Sequence, residues 1–243
     1  MNRNLLLTCL FICFLPFSIS AQKKAGEMYL NLSGGLSFPT KDYAKKQVVS
    51  TGEQGFAKQG YQFNVRPELF FDNDFGMSLF YNYTNNPFAN EAFADKVAQN
   101  NDVDLVSYPD YAYHNHQVYL NLFLHIGISD DLYILGKVGP GLLYSQIAGE
   151  DYAVIDKNGE AHDQSRRATG GGLGINIGTG LHYYLFGRFK VILEADYYTI
   201  GSEYELKTSA YKFEQTAQFL NISAGISFPF TPAKISEKLE DVQ

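Results

Sequence analysis

The residues Gln218-Phe219-Leu220-Asn221-Ile222-Ser223-Ala224-Gly225-Ile226-Ser227-Phe228-Pro229-Phe230 decide the fold. Leu220, Ile222, Ala224, Ile226 and Phe228 occupy every second position, with Asn221, Ser223, Gly225 and Ser227 between them. A period of two is the repeat of a β-strand, whose successive side chains point to opposite faces. One face of this strand is apolar and the other is small and polar.

Seven more segments upstream alternate in the same way: Met28 to Phe38, Tyr61 to Phe71, Phe75 to Thr84, His116 to Gly127, Leu132 to Tyr144, Gly170 to Leu185 and Phe189 to Ile200. Each is about as long as a tilted strand needs to be to cross a bilayer. The connections also alternate. Asp72-Asn73-Asp74, Ser129-Asp130-Asp131 and Phe186-Gly187-Arg188 are tight turns of turn-forming residues, whereas Thr40–Gly60, Asn85–Asn115, Ser145–Thr169 and Gly201–Thr216 are long polar links. Short turns at one end and long loops at the other predict a closed eight-stranded antiparallel transmembrane β-barrel, with periplasmic turns and extracellular loops.

The N-terminus reads as an export signal. Arg3 precedes an apolar run from Leu5 to Phe17, and Ile19-Ser20-Ala21 offers small residues for cleavage. The expected organisation is a signal peptide at 1–21, a barrel domain at 22–230 and a short periplasmic tail at 231–243. Both cysteines, Cys9 and Cys13, leave with the signal, so no disulfide or thiol chemistry is expected in the mature chain. Arg3 is the only charge removed, so the net charge moves from -7 to -8, with 18 basic residues against 26 acidic ones. Such an acidic chain is a poor binder of nucleic acid, and none is expected as a partner.

Alternation alone fits a soluble barrel as well, with the apolar face turned inward. Three features favour the membrane. The polar face is rich in Gly, Ser and Asn, a good lining for a narrow lumen. Aromatic residues of the apolar face gather near strand ends, Phe71, Phe75, Tyr183, Phe189 and Phe228 by the turns and Tyr61, Tyr81, Tyr83, Tyr144 and Tyr197 by the loops, as interfacial girdles do. The third is the last strand, where Gly225, Phe228 and Phe230 resemble the terminal assembly signal of outer-membrane barrels. With these residues in place, Met28 to Phe230 resembles the small outer-membrane β-barrel superfamily that includes the OmpA barrel, OmpX and the PorT-like barrels. That resemblance implies a Gram-negative outer-membrane location, contact with outer-membrane lipid and recognition of the terminal strand by barrel-assembly machinery. Members usually end on the final aromatic, whereas this chain runs on from Thr231 to Gln243.

Charged residues on the inward face are the candidate site. Arg66, Lys137 and Lys190 balance Glu68, Glu194 and Asp196. An isolated charge in a narrow lumen is costly, so these six are expected to pair and fill the interior as a plug. Gly174, Asn176, Gly178 and Gly180 on the sixth segment predict a thin wall beside which long side chains find room.

No catalytic motif accompanies them. Gly170-Gly171-Gly172-Leu173-Gly174 lacks the spacing and the following helix of a nucleotide loop. Of the five histidines only His114 and His116 have metal-like spacing, and without a third ligand they read as solvated loop residues. No metal or other cofactor is expected. The leading expectation is a non-enzymatic membrane anchor whose loops meet an extracellular ligand or protein. The alternatives are an outer-leaflet lipid-modifying enzyme, which would recruit His114 or His116, and a narrow conduit or export-machine subunit.

Overall fold

The computed structural model describes residues 27–49, 52–72, 74–101, 104–105, 111–148, 152–155, 159–164, 167–185, 189–206 and 212–229. The expected signal peptide, the turn Phe186-Gly187-Arg188, Phe230 and the tail 231–243 lie outside the described residues.

In chain order the elements are β1 (Met28–Pro39), α1 (Lys41–Ala44), β2 (Lys46–Val49), β3 (Gly52–Gly55), β4 (Gly60–Phe70), β5 (Phe75–Pro87), α2 (Asn90–Asn101), β6 (Asp104–Leu105), β7 (Ala112–Gly127), β8 (Leu132–Ala148), β9 (Tyr152–Ile155), β10 (Ala161–Gln164), β11 (Ala168–Leu185), β12 (Phe189–Leu206) and β13 (Lys212–Pro229). Eight of them close into an antiparallel barrel in the order β1-β13-β12-β11-β8-β7-β5-β4. The terminal strands β1 and β13 form the seam, from Tyr29 opposite Pro229 to Pro39 opposite Phe219.

The register fixes the shape. Following paired residues around the wall from Met28 leads to Leu69, Met77, Leu122, Val138, Ile177, Tyr197 and Leu220, then back to β1 at Phe38. The walk returns ten residues above its start. That stagger forces the strands to tilt, typically by roughly 35–45° in closed barrels, and leaves an eight-stranded interior only wide enough for side chains.

The two faces decide between membrane and soluble barrel. Leu120, Leu122, Leu124 and Ile126 on β7, and Leu173, Ile175 and Ile177 on β11, are exposed on the outer wall. Inside, Asn31, Asn64, Arg66, Glu68, Asn121, Lys137, Glu194 and Asp196 are buried. Apolar outside and polar inside is the arrangement for lipid, and the closed ladder leaves no strand edge unpaired within the ring.

Several strands run further than alternation indicated. β7 begins at Ala112, β8 continues to Ala148, β12 to Leu206, and β13 starts at Lys212. The polar links are shortened accordingly, and His114 joins His116 on a strand, so neither is the solvated loop residue expected above. Tyr197 consequently falls near the middle of β12, away from the loop-side girdle.

Aromatic rings close both ends. At the periplasmic end Tyr29, Phe70, Phe123 and Leu135 cluster, with Tyr184 against them. At the extracellular end α1 and β3 lie against β13, and Tyr43, Phe56, Phe88, Phe93, Tyr111 and Tyr113 form a buried cluster over the mouth. Gly55 (φ 87°) and Phe56 (φ 64°) both adopt left-handed backbone, which turns the Phe56 ring into this cluster at 5.4 Å from Phe88 and 5.5 Å from Phe93. The Tyr113 hydroxyl donates to the Gly55 carbonyl at 2.7 Å and fixes that turn.

Candidate functional site: the charged lumen

Inward parity on three strands brings the six predicted charges to one place. Arg66 and Glu68 come from β4, Lys137 from β8, and Lys190, Glu194 and Asp196 from β12. Glu194 is the hub. Arg66 reaches past β1 and β13 to grip both its oxygens, with Nη1 to Oε2 at 2.6 Å and Nη2 on Oε1. Lys137 Nζ donates to Glu194 Oε2 at 2.6 Å and stands 3.0 Å from Asp196 Oδ1. Arg66 Nε also donates to Glu68 Oε1 at 3.1 Å. Lys190 Nζ lies 3.4 Å from Glu68 Oε2. Three cations and three anions therefore share one buried cluster. A two-pronged guanidinium–carboxylate contact is among the stronger charge-assisted hydrogen bonds, and burial makes full partnering a condition for tolerating the charge.

The glycines of β11 make the arrangement fit. Lys137 must cross β11 to reach β12, and it passes over Gly178. A β-carbon there would collide with Asp196 Oδ1 and stand 2.6 Å from Lys137 Cε. At Gly180 it would lie 2.7 Å from Glu194 Cγ. Gly141 similarly receives the Tyr119 ring.

Alternation also turns inward several residues beyond the six charges. His182 meets Glu194 Oε1 through Nε2 at 2.8 Å, and Asn176 donates to Asp196 Oδ1 at 3.2 Å. Phe80 lies under Lys137, 5.0 Å from ring centre to Nζ. Lys190 sits among three rings, 3.7 Å from the centre of Tyr29, 4.8 Å from Phe70 and 5.3 Å from Tyr184. Ring faces attract a desolvated ammonium, which compensates Lys190 for having one carboxylate partner. Above the charges, rings continue towards the mouth: Phe80 to Tyr198 (6.3 Å), Tyr198 to Phe219 (5.0 Å) and Phe219 to Tyr43 (6.0 Å). The parity of Phe80 with Ser78 and Asn82, and of Phe70 with Glu68, is the signal that would have found them.

The terminal strand places Gly225 inward, where a β-carbon would be 2.5 Å from Ser33 Cβ. Phe228 pairs with Leu30 and packs edge-on against Phe189 at 5.9 Å. Phe230 lies outside the described residues.

His114 and His116 project outward from β7. His114 Nδ1 is 2.8 Å from the Tyr83 hydroxyl and 3.2 Å from Asn85 Nδ2, and His116 Nδ1 is 2.9 Å from the Tyr81 hydroxyl. Among the described residues no three His, Cys, Asp or Glu side chains are placed to hold a metal ion.

The sequence profile described as "Outer membrane protein beta-barrel domain" matches residues 7–230. The chain belongs to that outer-membrane β-barrel family. It is accordingly an outer-membrane protein, with the membrane crossed by strands. The solved structure of OprG from Pseudomonas aeruginosa is similar in fold, with a TM-score of 0.51 at 14% identity over 86% of this chain and 98% of that one. Matches also include Ail of Yersinia pestis, crystallised with the heparin analogue sucrose octasulfate (TM-score 0.43, 15% identity, 84% of this chain and 100% of that chain), and Neisserial surface protein A (0.47, 12%, 84% and 97%). No curated protein sequence matches the chain.

Proposed function

We propose that this barrel is a non-enzymatic outer-membrane anchor, closed to solute flow, that presents its extracellular loops to a ligand or protein outside the cell. The observation that supports it is the filled interior: a neutral six-charge cluster stacked between ring layers at both ends. A transport path would have to break those contacts, and stranding any one of the buried charges is costly. The outward histidines that a lipid-modifying site would recruit hold tyrosine and asparagine side chains at Nδ1 rather than an orienting carboxylate, which argues against the catalytic alternative.

The test is conductance across a planar lipid bilayer. Purified, folded barrel should leave the bilayer at its bare conductance, and lumen substitutions such as Lys137→Met should raise the frequency of transient openings. Steady single-channel currents from the unaltered protein would overturn the closed-anchor reading in favour of a conduit.

A further inference from the structure

The His114/His116 pair is unexplained by a closed anchor, because imidazoles on the outer wall of a membrane barrel are costly unless they meet something polar. Their position tells what they meet. On β7 the outward residues below them are Val118, Leu120, Leu122, Leu124 and Ile126, an unbroken apolar band. The histidines stand directly above that band, two and four residues after β7 begins at Ala112. They therefore lie at the level where outer-leaflet headgroups begin.

The hydrogen bonds fix the tautomer of one ring. An amide nitrogen only donates, so the Asn85 Nδ2 contact makes His114 Nδ1 an acceptor and puts the ring proton on Nε2. The Tyr81 hydroxyl engages His116 at the same nitrogen. Each ring thus has Nε2 free of any partner among the described residues, and the two rings sit about 7 Å apart along one strand face. Aromatic rings surround them: His116 centres lie 5.1 Å from Tyr83 and 6.1 Å from Tyr144, and Tyr83 lies 6.3 Å from Tyr61. The other side of the barrel differs at its upper rim. There β12 and β13 turn Glu203, Glu205, Glu214 and Lys212 outward, with Lys212 bound to Glu203, which leaves a net negative rim that repels anions.

We propose that this imidazole–tyrosine patch binds the phosphorylated sugar headgroup of an outer-leaflet glycolipid. The ring N–H groups donate to a phosphoryl oxygen, and the tyrosine faces receive the C–H side of a sugar ring. Acidic residues on the opposite rim leave this sector as the favoured place for such a lipid.

Diphosphoryl lipid A in detergent micelles is a suitable probe, with dephosphorylated lipid A and phosphatidylglycerol alongside. Native mass spectrometry should show one diphosphoryl lipid A retained per folded barrel, and the other two lipids lost. The variant His114→Phe/His116→Phe keeps ring bulk and removes the donors. It should bind about tenfold more weakly, a change of about 1.4 kcal/mol. Unaltered retention by a variant shown to be folded by its unboiled gel mobility, or equal retention of phosphatidylglycerol, overturns the proposal. Ring-nitrogen NMR of the unaltered protein is independent of the variant's folding. Titration with lipid A should move His114 and His116 and leave the interior His125 and His182 in place. Stationary His114 and His116 signals overturn it as well.

Discussion

Gly178 is where a single hydrogen atom in place of a side chain lets a lysine pass along the inner face of the wall from β8 to β12. Leucine there has to displace Lys137 and Asp196 together, and both belong to the buried cluster. Gly178→Leu should therefore destabilise by about 1–3 kcal/mol, the usual range for overpacking, read as a lower urea midpoint in detergent. Asp72, in the first turn, shows a different residue-scale effect. Its Oδ1 accepts the backbone N–H of Asp74 at 2.9 Å and of Phe75 at 2.6 Å. Those two donors hold its carboxyl below the ordinary carboxylate range. A group whose folded pKa is depressed adds stability above its unfolded pKa, about 4, and loses it as pH falls through the lowered folded value. Asp72→Ala should thus lower the unfolding midpoint at neutral pH, and the gap to the unaltered protein should shrink progressively below pH ~4. A gap of constant size down to pH ~2 would show that the carboxylate charge is not what holds the turn.

At the scale of elements, packing and assembly at the closing strand can be tested apart. Phe228 packs on Phe189 in the folded wall, whereas Phe230 follows the last described residue of β13. We expect Phe230→Ala to reduce the amount of barrel assembled in the outer membrane of cells while leaving refolding in detergent nearly unchanged. Equal losses in both measurements would make Phe230 a packing residue. The strands themselves were legible because a lipid-facing wall imposes strict alternation over the bilayer-crossing part of each. The readable signal stops where the wall leaves the membrane. Ser202 to Leu206 and Lys212 to Ala217 continue β12 and β13 into water, where the pattern inverts: Tyr204, Phe213 and Ala217 turn inward and Glu203, Glu205 and Glu214 outward, so the apolar face no longer continues that of the membrane-spanning part. Inward rings were hidden for a related reason. In Leu79-Phe80-Tyr81 and Leu122-Phe123-Leu124 an interior aromatic sits between two apolar outward residues, so the segment reads as an apolar run. The charges were easier to find because no lipid-facing position tolerates Arg66 or Glu194. Their partners were legible in kind but not in detail, since the shear that brings β4 within reach of β12 is a property of the whole ring.

For the molecule as a whole, the interior behaves as one electrostatic unit. Lys137→Met removes one of three cations and leaves Glu194 and Asp196 with less compensation. That single change should cost about 3–5 kcal/mol, as breaking a buried ion pair does. Lys137→Met combined with Asp196→Asn restores the balance and should cost less than the single change despite altering more atoms. Urea unfolding of the two variants side by side measures the coupling, and a double variant worse than the single one would show that local contacts outweigh overall neutrality. The same view of the molecule separates its two rims. The β12–β13 pair continues from Ile200 opposite Ala217 up to Glu205 opposite Lys212, braced by Tyr204 stacked on Phe213 at 5.2 Å and by Lys212 bound to Glu203 at 2.6 Å. At about 3.3 Å per residue, five further pairs lift the tip of this ribbon roughly 15 Å beyond that point along the strands. That extension is wall and cap at once: β11 pairs along it as far as Ala168 opposite Leu206, and Tyr204, Phe213 and Ala217 belong to the buried cluster over the mouth. A peptide spliced between Leu206 and Lys212 would enter beyond the last paired residues of this wall, so we expect it to leave the buried charges lower in the lumen in place.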